Sequence, residues 1–342
     1  MKKVLLNSII AGILLAFISC HHSGRKELRP EEKEVLFSQK ALTGSFVDFF
    51  RKENWTQQNW EDQFQEMKDI GMHIAIIQFI SYGDITWFNS SNDFTGKKYP
   101  DALATFMAAA NNKQMDVHIG LYFHEDYWKN QTNIEWLRLH ADRCNYIAEE
   151  INAQFGKDPA FKGWYIPHEP EPNAYNSKEL TASFNENFVN KISDRLHSFD
   201  NKPVSIAAFF NSDLTSPDQL KEFMAELSRA NLQIIMLQDG VGVNHVTPDR
   251  LVEYYTAASQ GLFENTNYKG EFWTDLETFS FKPQGPVTID RIKKQLEAEM
   301  SVPNITRAVS FQYYSNMSPS GRGGDSAAML RNDYMDYIKS LK

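Results

Sequence analysis

The chain has 342 residues, with 44 acidic and 35 basic side chains, and its formal net charge is −9. This acidic balance excludes nucleic acid and other polyanions as partners, because phosphate binding needs a basic surface. No cofactor is expected, since the glycine-rich dinucleotide fingerprint is missing after the first predicted strand.

The N-terminus predicts an exported, lipid-anchored protein. Lys2 and Lys3 precede an apolar run, Val4–Ile18, that is too short to span a bilayer and suits the core of a signal peptide over residues 1–19. Ser19-Cys20 resembles a bacterial lipoprotein cleavage site, which implies lipidation of Cys20. The polar residues 20–40 are expected to form a flexible tether. We therefore expect a lipoprotein of a Gram-negative bacterium, periplasmic or at the outer membrane, that contacts the membrane through Cys20.

Residues 41–342 alternate short β-rich runs with amphipathic helices. The predicted strands are Phe46–Phe50, His73–Ile80, Val117–Phe123, Phe161–Pro167, Val204–Phe210, Leu232–Leu237, Phe272–Leu276 and Ala308–Phe311. Eight mostly apolar strands, each followed by a helix, predict a single-domain α/β fold, a (β/α)8 TIM barrel. A doubly wound open sheet is the alternative, and the missing dinucleotide fingerprint argues against it. Cys144, on the apolar face of the helix after strand three, is expected to be a buried structural thiol.

Two carboxylates end strands at the face where barrel enzymes build their active sites. Glu169 ends strand four, and Pro167 and Pro170 restrict the backbone around it. On strand seven, alternation places Glu277 on the inward face at the strand end. Glycoside hydrolysis needs two carboxylates flanking the scissile bond, so Glu169 and Glu277 are the candidate catalytic pair. Glu171 could replace Glu169, and Asp275 could replace Glu277.

Polar and aromatic side chains at the same strand ends are candidates for substrate binding. Aromatic rings can stack on the apolar faces of sugars, and amides and carboxylates can hydrogen-bond to hydroxyl groups. The predicted substrate-binding residues are Gln78, Tyr82, Tyr122, Trp128, His168, Asn211, Gln238, Asp239, Trp273 and Tyr313.

These strand ends resemble the large clan of glycoside hydrolases with (β/α)8 barrels. The resemblance implies that Glu169 is the acid/base and Glu277 the nucleophile. More closely, Gly163–Glu169 and Gln238–Gly242 are similar to a family of bacterial lipoproteins known only as glycoside-hydrolase-like domains of unknown function. The hydrolase clan usually has Asn before the strand-four Glu, whereas His168 stands here, which leaves the substrate 2-substituent open.

The sequence therefore predicts an extracytoplasmic glycoside hydrolase acting on a poly- or oligosaccharide. A non-catalytic glycan-binding barrel is the first alternative, because it shares the aromatic loops but needs no opposed carboxylates. A metal-dependent barrel hydrolase is the second, and its ligands would come from His124, Asp126, His168, Glu169 and Asp239. These residues lack the tight spacing of known metal motifs, so we predict no metal site.

Overall fold

A computed structural model describes residues 40–341. The predicted signal peptide, Cys20 and most of the tether lie outside the described residues. The strands in chain order are β1 Leu42–Val47, β2 Ile74–Ile77, β3 Ser81–Tyr82, β4 Ile85–Thr86, β5 Lys97–Lys98, β6 Asp116–Gly120, β7 Tyr122–Phe123, β8 Phe161–Ile166, β9 Val204–Ala208, β10 Ile234–Gln238, β11 Glu271–Glu277, β12 Phe279–Phe281, β13 Gln284–Pro286 and β14 Ile305–Phe311.

Eight of these strands close into a parallel barrel in the order β1, β2, β6, β8, β9, β10, β11, β14 and back to β1. The predicted TIM barrel is thus confirmed. The first barrel strand begins at Leu42, four residues earlier than predicted, and ends at Val47. Two smaller sheets stand outside the barrel: β5, β4, β3 and β7 form one, and the antiparallel hairpin β12–β13 forms the other.

The helices surround the barrel. They are α1 Gln57–Asp69, α2 Ala102–Lys113, α3 Tyr127–Asn130, α4 Ile134–Phe155, α5 Lys178–Phe184, α6 Asn190–His197, α7 Pro217–Leu227, α8 Leu251–Phe263, α9 Ile289–Met300, α10 Tyr313–Asn316 and α11 Gly324–Leu341. A π-helical turn, Asn185–Val189, joins α5 to α6. Among the described residues, the structure contains no helix with the length and apolar character that crossing a membrane requires.

Local sequence signals explain where the helices begin. Thr56 caps α1 and forms a capping box with Asn59. Ser216 caps α7 in the same way with Gln219, and Pro217 occupies the first helical position, where its missing N–H costs nothing.

Apolar side chains fill two separate regions. One set lies inside the barrel and includes Phe46, Tyr165, Met236 and Trp273. The other lies between the barrel and its helices and contains alternate residues of the same strands, such as Leu276 of β11. This alternation decides which side chains can reach the mouth of the barrel, and the predicted inward face of strand seven is confirmed.

Candidate active site

Glu169 stands at the mouth of the barrel, three residues beyond the end of β8. Tyr165 faces the barrel interior, so alternation carries Glu169 to the inward side as well. The half-buried carboxyl group accepts a hydrogen bond from the side chain of Gln238, the last residue of β10. Burial raises the pKa of Glu169 to about 7; the bond from Gln238 opposes this rise and the charge of Glu125 adds to it.

Glu277, the last residue of β11, is held by the loop that follows β10. The backbone N–H of Val243 donates to Glu277 Oε2 at 3.0 Å, and the N–H of Gly242 also donates to this carboxyl. A Cβ at position 242 would lie 2.8 Å from Glu277 Oε2 and 2.5 Å from the Phe279 carbonyl oxygen, so only glycine allows this approach. Burial, and next the charge of Asp239, raise the pKa of Glu277, although the two amides lower it.

Asp239 lies beneath Glu277 and is fully buried, which corrects its predicted role in substrate binding. Its Oδ1 accepts from the Val241 N–H at 3.0 Å, and its Oδ2 accepts from the Glu277 N–H at 3.3 Å and from Gln295 Nε2. Asp239 therefore fixes both the backbone of Glu277 and the loop whose amides hold the Glu277 carboxyl. It is a positioning residue.

Two further buried acids complete this side of the barrel. Glu299 accepts a hydrogen bond from Thr274 Oγ1 at 2.6 Å, and burial together with the charge of Asp239 raises its pKa well above the usual range. Asp275 is 2% exposed and its Oδ1 has no hydrogen-bond partner among the described residues. Burial and then the charges of Glu277, Asp239 and Glu169 raise the pKa of Asp275. Asp275 thus lies within electrostatic reach of both predicted catalytic carboxyls.

Aromatic side chains form a continuous arc around the opposite side of the mouth. The ring centroids are 5.7 Å apart for Phe50–Phe79, 4.7 Å for Phe79–Tyr82, 6.0 Å for Tyr82–Phe123, 6.3 Å for Phe123–Trp128 and 6.1 Å for Trp128–Phe209. We call these six residues the aromatic arc. They follow β1, β2, β6 and β9, and Trp128 is 38% exposed. The hydroxyl of Tyr82 donates to Glu125, which places a carboxylate on the arc.

The arc contains two of the predicted substrate-binding residues, Tyr82 and Trp128. Gln78, directly after β2, is half-buried. Asn211, which follows β9 by three residues, is also half-buried, and its Oδ1 accepts from the Asp213 N–H at 3.0 Å. With Gln238 on Glu169, these side chains lie at the strand ends where they were predicted.

Three predicted substrate-binding residues are instead buried away from the mouth. Tyr122 is 1% exposed, donates to the Gly83 carbonyl at 3.1 Å and stacks on His140. Tyr313 is fully buried and donates to Glu66 Oε2 at 3.1 Å in the helix layer. His168 is fully buried behind β8 among aromatic rings. Substrate contact is corrected for all three.

Trp273 does face inward, but deep in the barrel. Its Nε1 donates to Glu271 Oε2 at 2.8 Å, and Glu271 is the first residue of β11, at the end of the barrel away from the mouth. Its ring belongs to the interior cluster with Met236. It closes the floor of the barrel and is out of reach of a substrate at the mouth.

The carboxylate of Glu171, the alternative to Glu169, serves the local chain. Its two oxygens accept from the N–H groups of Asn173 at 2.6 Å and Ala174 at 2.7 Å, so it stabilises the turn after β8.

The residues considered as alternative metal ligands are dispersed in the structure. His124 pairs with Asp126 at 3.5 Å on an exposed loop, whereas His168 is buried behind the barrel and Asp239 lies beneath Glu277.

Several residues of this site were missing from the sequence prediction. Phe50, Phe79 and Phe209 of the arc each come one to three residues after a barrel strand, and an aromatic residue at that distance was the available signal. The amides of Gly242 and Val243 carried no signal in composition, because backbone donors are available at every residue except proline.

Comparison with known proteins agrees with this fold. Residues 42–322 match the family described as Domain of unknown function (DUF4434). A crystal structure of a putative α-L-fucosidase from Bacteroides thetaiotaomicron superposes with a TM-score of 0.73 at 19% identity, covering 95% of this chain and 99% of that one. An endo-1,4-β-mannanase from Rhizomucor miehei gives 0.55 at 14% identity, covering 88% and 95%. A family 1 β-glucosidase from Thermotoga maritima gives 0.54 at 8% identity, covering 88% and 98%. Among curated proteins, none matches the chain in sequence.

Proposed function

The chain belongs to the DUF4434 family, and we propose that it is a glycoside hydrolase that cleaves a poly- or oligosaccharide with the carboxyl groups of Glu169 and Glu277. One observation carries the proposal: two inward carboxyl groups, Glu169 three residues beyond the end of β8 and Glu277 at the end of β11, stand at one barrel mouth. This arrangement is what cleavage between a proton donor and a nucleophile or base requires.

The surroundings of the two acids suit different roles. Glu169 is half-buried at the mouth and oriented by Gln238, so it can give a proton to a leaving oxygen. Glu277 is 5% exposed and held by two backbone amides, which fix its direction and oppose the rise in its pKa that burial causes. We assign it as the nucleophile or base rather than Asp275, which lies one layer deeper and has no group to orient Oδ1.

The aromatic arc supports a carbohydrate substrate. Phe79 and Phe123 are buried within the arc, whereas the exposed ring of Trp128 and the half-buried rings of Phe50, Tyr82 and Phe209 offer apolar surface beside the polar groups of Gln78, Asn211 and Glu125. This combination matches the alternating apolar faces and hydroxyl edges of sugars. The similar structures include proteins named as a mannanase and a glucosidase. We further propose that the protein is lipid-anchored at Cys20 and acts outside the cytoplasm, on the strength of its N-terminal sequence.

The test is turnover of an oligosaccharide panel by the full chain, followed by mass spectrometry of the products. We expect Glu169→Gln to lower kcat by about 10²–10⁴-fold, the usual contribution of general acid catalysis. Glu277→Gln should lose turnover at least as fully, and Glu135→Gln, an exposed acid at the start of α4, should retain it. Full turnover in either active-site variant would refute the mechanism. Glycan binding by the wild type without turnover would identify a binding protein instead.

A further inference from the structure

A second group of potential ligands lies behind β8, between the barrel and α4. His140 and Cys144 are four residues apart on α4 and therefore share one helix face, and His168 follows β8 by two residues. One ligand atom from each of the three lies within 4.8 Å of the others, and all three side chains are buried. The fold thus brings two imidazoles and a thiol from two different elements to one point.

The imidazole nitrogens of this cluster lack the partners that buried polar groups normally have. His140 Nε2 and both ring nitrogens of His168 have no hydrogen-bond partner among the described residues. Leaving one such group unsatisfied costs about 1–3 kcal/mol. Phe188 and Phe123, 4.5 and 5.2 Å from His168 between centroids, have no polar group, and the hydroxyl of Tyr127, whose ring is 4.9 Å away, is paired with the Tyr175 hydroxyl. A ligand that satisfies these nitrogens must sit inside the cluster.

Tyr122 supplies the supporting contact that metal-binding histidines usually have. His140 hydrogen-bonds to the backbone of Tyr122, and the Cys144 thiol donates to the Tyr122 carbonyl oxygen at 3.3 Å, a bond that is given up when the thiol loses its proton to bind an ion. A metal-bound histidine generally gives its second ring N–H to a carbonyl, which fixes its tautomer and orientation. His140 already has this bond, and its Nε2 is left free to bind an ion.

Charge and ligand number select the class of ion. Arg143 is the charged side chain that acts on His140, so the surroundings do not favour additional positive charge. One thiolate neutralises a monovalent ion but leaves a divalent ion with a net charge in an apolar site, which is costly. Thiolate and imidazole suit monovalent copper, whereas structural zinc sites take four ligands.

We propose that His140, Cys144 and His168 bind one monovalent copper ion. On binding, the Cys144 S–H bond breaks, its proton leaves to solvent and a sulfur–copper bond forms, with copper remaining in the same oxidation state. The ion links α4 to the residue before Glu169. The site is separate from the carboxyl pair and does not rest on the proposed hydrolase function.

The experiment measures copper binding to the reduced, full-length protein under anaerobic conditions. The cuprous acetonitrile complex is added in competition with the chelator bicinchoninate, and bound metal is measured by mass spectrometry after desalting. We expect one copper per chain, with one sulfur and two nitrogen ligands in X-ray absorption. Cys144→Ser and His168→Gln should each weaken binding by at least about tenfold, since even supporting contacts are worth that much. His124→Gln, which changes a half-buried histidine on the loop after β7, should bind as the wild type does.

Equal copper binding by the wild type and Cys144→Ser would overturn the proposal. One bound zinc ion in place of copper would overturn the assignment to a monovalent ion. If His168→Gln fails to fold, as judged by circular dichroism, Cys144→Ser decides alone, because it replaces the thiol with a group of similar size.

Discussion

Stability should fall as the pH rises from about 7 to 8, because burial favours the protonated form of two carboxyls in the folded state. Burial raises the pKa of Asp275 and of Glu299 well above the ordinary range. In the unfolded chain these groups are ionised near neutral pH, so the folded state binds more protons. Each retained proton lowers the free energy of unfolding by about 1.4 kcal/mol per pH unit. Two such groups, Asp275 and Glu299, together give a slope of at most about −3 kcal/mol per pH unit.

The window matters because buried histidines act in the opposite direction at lower pH. Burial lowers the pKa of His118, His140 and His168. Below the ordinary histidine pKa of about 6.5, these three rings are protonated in the unfolded chain but stay neutral in the folded protein. Their contribution to the free energy of unfolding therefore rises with pH. Above about pH 7 these rings are mostly neutral in both states, so the buried carboxyls dominate the slope.

The assay is urea unfolding at several pH values across this window. Asp275→Asn removes one retained proton and should make the slope shallower by about 1.4 kcal/mol per pH unit. Asp126→Asn, an exposed acid on the loop after β7, is the matched control and should leave the slope unchanged. Stability that is constant or rises over this window would show that these carboxyls are ionised in the folded protein, and would refute the reasoning.

Three further substitutions test the mouth. Gly242→Ala should displace the Glu277 carboxyl and lower kcat by about 10²-fold, the cost of a misplacement near 1 Å, as measured by steady-state kinetics. Gly44→Ala is the control, because its added Cβ would lie 2.7 Å from Ile74 in the barrel wall. It should lower the free energy of unfolding by about 1–3 kcal/mol in unfolding curves and leave kcat of the folded protein intact. Asp239→Asn keeps one oxygen that can accept from a backbone N–H but loses the second acceptor, so the Glu277 carboxyl should be less well positioned. We expect kcat to fall while glycan affinity, measured by titration calorimetry, is retained. Unchanged kcat would contradict the positioning role of Asp239. Trp128→Ala should weaken glycan binding by about 0.5–1.5 kcal/mol in titration calorimetry, and Leu139→Ala, an exposed apolar residue on α4, should have no effect.

The architecture could be predicted from the sequence because strand periodicity and helix caps are local signals. All eight barrel strands were predicted, and Ser216 and Thr56 cap the helices that follow them. The boundaries shifted most at β1, where the apolar run continues past the strand into Phe49 and Phe50. Periodicity alone does not show where pairing with neighbouring strands stops.

The site could be predicted only in part, and alternation explains two of the errors. Tyr165 faces the barrel interior, so alternation turns Glu169 inward and His168 toward the helices. In the same way Met236 faces inward, so Gln238 points inward and Asp239 toward the helices. Counting by twos from the strand interior would have separated each pair. Tyr122 is different, because the chain leaves β6 at Gly120 and joins a second sheet, a change set by contacts distant in sequence.

The mouth of this barrel is divided between two kinds of support, and this affects how the family can diversify. The carboxyl groups depend on β8, β10, β11 and α9, and Asp239, directly after β10, joins β11 to α9 through the Glu277 N–H and Gln295. The aromatic arc depends on loops after β1, β2, β6 and β9, and surface loops tolerate insertion and replacement. The loops of the arc can therefore be replaced without disturbing the contacts that hold the two carboxyl groups.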